Sequence, residues 1–441
     1  MDFLKELKNR ILIYDGSKGY LLQKMGLKGG ECPELWNVTH REEVKKIYSE
    51  YKAAGADVIQ TNTFQGNRIK LEEYSLGDRT YELNYEAARL AREVMGKDGF
   101  VAASIGPIGM LFEPSGELTF EKAYETFKEQ VKALADGGVD IINFETFTDL
   151  AEMRAALLAA KETVNLPVIC SISFEANGRT LMGSDPYTAA VVLKSLGADM
   201  IGANCSLGPE HITGIVEKLN EPGGIFLSVK PNAGLPEMVE GEVRYNTDAQ
   251  TFAGLTKEFV NHGARLIGGC CGTTPDYIKA VRDILQNHKP SGMVKKYGQL
   301  ISSGVKTLHI ETVDALNNGA MDAGEDKELL ENLRSGNMDS VVDLAIDISC
   351  EDYEAVYINV DKAEKGHQLL AEVVNTAQAY LKIPFILETE SSEALDNALR
   401  LYKGKAGVIV ERYPTYIMEE LLRVAKKYGS TVVASNMLKN Q

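Results

Sequence analysis

RLIGGCCGTTPDYI, residues 265 to 278, sets an apolar run, two glycines, the adjacent pair Cys270 and Cys271, another glycine and a helix start in one short stretch. An apolar strand that ends in polar or reactive side chains and turns straight into a helix is one β-α unit. Read outward from it, the same order recurs toward the N-terminus. The runs are LIYDG (12–16), DVIQTNTF (57–64), VAASIGP (101–107), DIINFETF (140–147), PVICSISF (167–174), DMIGANCS (199–206), IFLSVKP (225–231) and RLIGGCCG (265–272). Between them, segments such as EEVKKIYSEYKAAG (42–55), TFEKAYETFKEQVKALADGG (119–138) and NTDAQTFAGLTKEFVNHG (246–263) carry helical periodicity and stop at glycine. Eight such repeats predict an α/β fold whose N-terminal part, residues 1–290, is a (β/α)8 TIM barrel.

Active sites of such barrels sit at the carboxyl ends of the strands, so the last letters of each run are the informative ones. They are Asp15; Asn62 and Thr63; Ser104; Glu145 and Thr146; Ser173; Asn204 and Cys205; Lys230 and Asn232; Cys270 and Cys271. Cys205 closes the sixth run and the cysteine pair the eighth, so the three thiols share one rim with a single strand between them. Adjacent cysteines rarely bridge each other, because a disulfide wants Cα atoms about 4.4–6.8 Å apart and a trans peptide holds neighbours near 3.8 Å. A metal is the better use: three thiolates suit tetrahedral Zn²⁺ at about 2.3 Å, and three protein ligands leave a fourth, catalytic position open. A thiol arriving there would lose its proton and become a nucleophile at neutral pH. The bland alternative is that the cysteines are small buried hydrophobes. Cys32, Cys170 and Cys350 lack the shared context, and Cys170 reads as core.

At 441 residues the chain exceeds the size at which one core stops growing, about 250–300 residues, so two domains are expected. Its 47 Lys and Arg against 63 Asp and Glu give a net charge of −16, which opposes nucleic acid and anionic membrane as partners. The sequence shows no apolar run near the ~20 residues of a membrane helix and no signal-peptide pattern, so a cytoplasmic location with reduced thiols is expected. Oligomeric state is not legible.

The DG of the first run, TNTF (61–64), ASIGP (103–107), ETF (145–147), ANCS (203–206), KPNAG (230–234) and GGCCGTTPDYI (268–278) together resemble the zinc-dependent homocysteine S-methyltransferases. The order of these motifs is most similar to the homocysteine-binding part of cobalamin-dependent methionine synthase. The resemblance spans about residues 10 to 290 and implies a zinc-held homocysteine thiolate that attacks a methyl group in line to form methionine. It implies Cys205, Cys270 and Cys271 as metal ligands and reactive centre, and Asp15 with Glu145 around the homocysteine ammonium. The backbone at Ser104, with Thr63 nearby, would receive the carboxylate, and Asn232 would offer zinc an oxygen when no substrate is bound.

From 291 to 325 the periodicity fades and Gly, Ser, Asn and Asp gather, which reads as a linker. Residues 326–441 resume α/β alternation with four visible strands, AVYINVD (355–361), PFILET (384–389), AGVIVER (406–412) and TVVASN (431–436), half a barrel at most. NVD, IPFILET, ALRLYKGKA and AKKYGSTVVA make this part resemble a truncated pterin-binding domain. Tyr357 and Glu388 stand where that family would carry Asp, and Val410 with Glu411 replace an Asn-Ser. The reading is therefore against a folate site and for a vestigial or docking role. None of the six histidines, His40, His211, His262, His288, His309 and His367, has Asp two residues before it. The Asp-x-His-x-x-Gly of a corrinoid module is thus missing, and methylcobalamin or another corrinoid is expected on a separate partner protein.

The expected activity is transfer of a methyl group to homocysteine. One alternative keeps the acceptor and takes betaine, S-methylmethionine or another small donor. A second, a non-catalytic zinc or thiol sensor, predicts tight zinc and no alkyl transfer. A vicinal-dithiol redox role leaves Cys205 unexplained and lacks C-x-x-C spacing.

Overall fold

The computed structural model describes residues 2–113, 116–239, 242–290, 298–311 and 315–439. The chain divides into two compact units: Met1–Met182 with Ala198–Lys295, and Gly183–Gly197 with Lys296–Gln441.

In the first unit each expected run coincides with a strand to within one residue at its start. They are β1 (Leu12–Ile13), β2 (Val58–Gln60), β3 (Phe100–Ile105), β4 (Ile141–Phe147), β5 (Val168–Ile172), β6 (Met200–Asn204), β7 (Phe226–Lys230) and β8 (Ala264–Ile267). They pair in the order β1-β8-β7-β6-β5-β4-β3-β2, all parallel. A parallel bridge from Tyr14 to Val58 joins the two ends and closes the barrel. Strands of a closed parallel sheet are covered on both faces, which is why their sequences are apolar throughout rather than alternating; all six residues of β3 are buried.

Seven helices of this unit follow the strands in turn: α1 (Arg41–Ala53), α2 (Thr80–Met95), α3 (Phe120–Asp136), α4 (Leu150–Thr163), and, after one more, Pro209–Asn220, Ala249–Asn261 and Pro275–Leu285. Side chains of Thr119, Asp149 and Asp248 accept backbone N–H groups at three of their starts, as good N-caps do. A short helix at Phe3–Asn9 sets Phe3 and Leu7 into one core cluster with Leu12, Val58, Phe100, Ile141, Ile169, Met200, Phe226 and Leu266. Those partners come from the first residues of the strands, so the helix plugs the amino end of the barrel; burying each large side chain contributes about 1.5–3 kcal/mol. The loops that carry chemistry are left at the carboxyl end. One of them, after β7, contains an antiparallel hairpin, Pro236–Val239 with Glu242–Tyr245.

The helix between the fifth and sixth strands in sequence, α5 (Pro186–Ser195), clusters with the second unit. There the Thr307 hydroxyl donates to Thr188 Oγ1 at 3.0 Å and the Ser184 hydroxyl to Gly304 O at 2.6 Å.

The second unit holds a parallel sheet in chain order: β9 (Asn318–Asp322), β10 (Ala355–Asn359), β11 (Phe385–Glu388), β12 (Gly407–Ile409) and β13 (Thr431–Val432). Four strands are legible in the sequence of this part and the sheet has five. β9, Asn-Gly-Ala-Met-Asp, lies inside the stretch expected as a linker, and so does a small antiparallel pair, Leu300–Ser302 with Thr307–His309. Asn, Gly and Asp disfavour strands when they stand alone. Here five consecutive pairings, from Asn318 with Ala355 to Asp322 with Asn359, override that preference. Residues 291–297 and 312–314 of the same stretch lie outside the described residues.

Candidate active site at the carboxyl rim of the barrel

β6 ends at Asn204, and Cys205 and Ser206 follow with φ of +61° and +53°. Non-glycine residues in this left-handed region cost about 1–3 kcal/mol each and gather at functional sites. The Cys205 N–H donates to Lys230 O at 3.1 Å and the Leu207 N–H to Cys205 O at 2.6 Å, which fixes the turn. On β8 the approach to β1 is so close that a Cβ on Gly268 would lie 2.7 Å from Asp15 O. Gly272, at φ +79°, reverses the chain after the cysteine pair. Between these glycines the Cys270 N–H donates to Pro231 O at 2.8 Å and the Cys271 N–H to Asn232 Oδ1 at 3.1 Å.

The Sγ atoms of Cys205, Cys270 and Cys271 all lie within 4.8 Å of one another, with Cys205 and Cys271 3.8 Å apart. Tetrahedral zinc with sulfur at about 2.3 Å spaces its ligands about 3.8 Å apart. The trio therefore fits such an ion. Hydrogen bonds from Cys270 and Cys271 pull the Cys205 thiol down to about 3. Holding their protons toward Cys205 pushes Cys270 up to about 11 and Cys271 further still. One negative charge is stable among the three sulfurs, and three need a cation. Asn204 stands beside them, its Nδ2 donating to Thr146 Oγ1 at 2.8 Å and reaching Cys270 Sγ at 3.9 Å.

Next to the thiols lies a network of buried charge. Glu145 Oε1 accepts from Gln60 Nε2 at 2.6 Å and from the Ser104 hydroxyl, and Glu145 Oε2 pairs with Lys230 Nζ. Lys230 also donates to Gln60 Oε1 at 2.9 Å and lies 4.6 Å over the Tyr14 ring. A register irregularity between Phe144 and Phe147 sits at Glu145 and Thr146, the usual way a strand end re-aims a side chain. These groups open into a cavity of about 1110 Å³, lined among others by Lys18, Ser104, Glu145, Lys230 and the three cysteines.

The expected residues distribute as follows. Cys205, Cys270, Cys271, Thr63, Ser104 and Glu145 all line the cavity. Asp15 is fully buried and is not among the lining residues; its Oδ2 accepts from the Gln60 N–H at 2.8 Å and pairs with Lys18 Nζ at 3.3 Å. Burial raises its carboxyl above the usual range. The Ser104 backbone is engaged within the protein, its N–H on Thr61 Oγ1 at 3.0 Å and its carbonyl accepting from Thr63 Oγ1 at 2.8 Å. Asn232 supports the backbone of Cys271 from outside the cavity lining. Sequence reasoning assigned no role to Gln60, Lys18, Lys230 or Tyr245. For Gln60 and Lys230 there was a signal: each is the polar last residue of an otherwise apolar strand. Tyr245, on the hairpin after β7, hydrogen-bonds Cys271, and burial first, then that contact, holds its phenol well above the ordinary range.

A methionine synthase of Mycobacterium tuberculosis is 33% identical over 325 residues, covering 68% of this chain and 27% of that protein. One from Mycobacterium leprae is 33% identical over 303 residues, covering 64% and 25%. The chain thus spans about a quarter of the length of these relatives. The metallated form of the homocysteine methyltransferase MmuM from Escherichia coli superposes with a TM-score of 0.53 at 22% identity, over 63% of this chain and 96% of that one, a likeness of fold. The sequence profile of homocysteine S-methyltransferases matches residues 12–285, more than half of the 441, and the chain therefore belongs to the homocysteine S-methyltransferase family.

Proposed function

We propose that this chain transfers a methyl group to the sulfur of homocysteine, forming methionine, with zinc held by Cys205, Cys270 and Cys271. The observation that carries the reading is the convergence of three sulfurs within 4.8 Å beside a cavity of about 1110 Å³. Zinc at this position would supply the positive charge that lets an incoming thiol lose its proton at neutral pH. The chain's own residues do the rest. Strained turns at Cys205 and Ser206 aim one ligand, Asn232 anchors the backbone of another, and the buried network of Gln60, Ser104, Glu145 and Lys230 forms a polar wall beside them. In the reaction a sulfur lone pair forms the new C–S bond, the bond from methyl to its donor breaks, and that electron pair leaves with the donor. The thiol proton goes to solvent.

For the donor we favour a methylcorrinoid carried by a separate protein, because the motif order is most similar to that of cobalamin-dependent methionine synthase and the sequence shows no Asp-x-His-x-x-Gly; betaine or S-methylmethionine is the competing class. A cytoplasmic setting would keep the three thiols reduced. For the second unit, with residues 326–441 as its body, the reading is a shortened pterin-domain relative without a folate site. Its support is that Tyr357, Glu388 and Arg412 satisfy one another.

Zinc-edge X-ray absorption on anaerobic protein, with and without homocysteine, tests the proposal. Three sulfurs and one light atom should become four sulfurs on adding homocysteine; a shell that ignores homocysteine removes it. Product formation from methylcobalamin-loaded corrinoid protein, against betaine and S-methylmethionine, then assigns the donor.

A further inference from the structure

β4 breaks the alternation of a strand at its carboxyl end. Successive side chains of a regular strand point to opposite faces, yet Glu145 and Thr146 both line the cavity. Phe144 and Phe147, three residues apart, both pack on the Phe127 ring of α3, at 5.8 and 5.7 Å between centroids. The pairing with β5 gives the reason. From Phe144 opposite Cys170 to Phe147 opposite Ile172, β4 advances three residues while β5 advances two. The extra residue is absorbed at Thr146, whose φ of +67° lies in the left-handed region. A β-branched side chain is a rare outlier there and persists only where its surroundings over-determine it.

Asn204 supplies that constraint. Its Oδ1 accepts the Thr146 N–H at 2.8 Å, and its Nδ2 donates to Thr146 Oγ1 at 2.8 Å. One carboxamide thus meets both the N–H and the hydroxyl of the strained residue, acceptor to donor and donor to acceptor. The reach passes across the end of β5, because β4 and β6 are not neighbours in the sheet. Asn204 is itself fixed there: its carbonyl accepts the Ser173 hydroxyl at 2.7 Å, and the residue is buried. Its approach to Cys270 Sγ, at 3.9 Å, is long beside these bonds. Without the clamp, Thr146 is free to return to an extended φ, the bulge slips, and Glu145 loses its aim.

We infer that Asn204 is a positioning residue for acceptor recognition: its carboxamide locks the bulge at Thr146 and so aims Glu145 into the cavity at the ammonium of the incoming amino-acid thiol. The inference rests on the thiol-acceptor reading above and on the ammonium contact that the family resemblance gives Glu145.

Calorimetric titration of the zinc-loaded full chain with homocysteine, and with 4-sulfanylbutanoic acid, which lacks the amino group, tests it. The wild-type chain should prefer homocysteine by at least about tenfold, the size of one charge-assisted contact. Asn204→Ala should keep its zinc, lose about tenfold in homocysteine affinity and bind 4-sulfanylbutanoic acid within about threefold of wild type, because only the ammonium end is misaimed. Adding Thr146→Gly to that variant removes the strain of a positive φ and should restore the preference for homocysteine to within about threefold of wild type; a residue that merely stabilised the fold would leave selectivity unmoved in both proteins. Equal losses for the two thiols, or loss of zinc from a folded Asn204→Ala protein, would overturn the inference. A double variant without the preference overturns it too, whether or not the single variant folds. A wild-type chain that binds both thiols alike removes this inference and leaves the acceptor reading standing; binding of neither thiol removes both.

Discussion

Two parallel sheets in this chain end in polar side chains and use them in opposite ways. At the rim of the barrel, Ser104, Glu145, Cys205, Lys230, Cys270 and Cys271 face a common cavity. At the carboxyl edge of the five-stranded sheet the polar ends are occupied with one another. Glu388, 3% exposed, accepts from the Tyr357 hydroxyl at 2.8 Å and from Arg412 at 3.1 Å. Asn359 Nδ2 donates to the same Tyr357 oxygen at 3.2 Å, and Asp361 takes the Thr389 hydroxyl at 2.7 Å. Closing eight strands brings distant strand ends face to face around a mouth. Five strands side by side bring only neighbours together, and neighbouring polar groups satisfy each other. The difference teaches that, in this chain, polar strand ends converge on a common cavity where the sheet curves back on itself and pair with one another where it does not.

The strongest way to break this contrast is at the thiols. Cys205→Ala or Cys270→Ala should drop zinc from about one per chain to near zero and lower homocysteine methylation more than about a hundredfold. Full zinc occupancy in either variant, measured by metal analysis, would show that the rim is not a metal site. Next, Glu145→Ala leaves Lys230 as a buried, unpaired cation, a loss of about 3–5 kcal/mol, readable as a fall in denaturant midpoint; an unchanged midpoint would mean the pair is not buried in solution.

A pH-dependent effect sharpens the comparison further. Burial pushes the Glu152 carboxyl up to about 8, although it accepts the Ile108 N–H at 2.6 Å. Its folded pKa lies above its unfolded one. The stability it contributes is therefore complete below the unfolded value, about 4.3, and is lost as pH rises through about 8. Glu152→Gln, which keeps an acceptor for Ile108, should flatten the decline of Tm between those pH values; identical slopes in both proteins would show that the carboxyl is ionised in the fold.

In the second unit, Tyr357→Phe removes one hydrogen bond from a buried carboxylate and should cost about 1.5–3 kcal/mol without changing zinc content or homocysteine affinity. A loss of homocysteine affinity in that variant would contradict the separation drawn between the two rims. The smallest effect is expected inside the barrel. The Ser171 hydroxyl is buried and has no hydrogen-bond partner among the described residues, so Ser171→Ala should shift stability by no more than about 0.5 kcal/mol. A larger loss, measured by chemical denaturation, would reveal a buried water that the hydroxyl holds.

Much of this was legible in the letters alone. Eight apolar runs, each followed by a helical pattern, determine a barrel, because strands covered on both faces must be apolar along their whole length. Cys270 and Cys271 are adjacent in the chain, and knowing the strand order is enough to bring Cys205 onto the same rim. Local composition misled at β9, where Asn, Gly and Asp read as linker until five pairings with β10 made them a strand. Only the tertiary structure decided which acid meets which base. Lys230 reaches Gln60 across 170 residues and Glu145 across 85, and Asp15 turns inward to the Gln60 backbone 45 residues away. Charge pairing acts through space over a few ångströms and carries no periodicity along the chain, so the sequence determined the residues available at the rim and the folded barrel decided their partners.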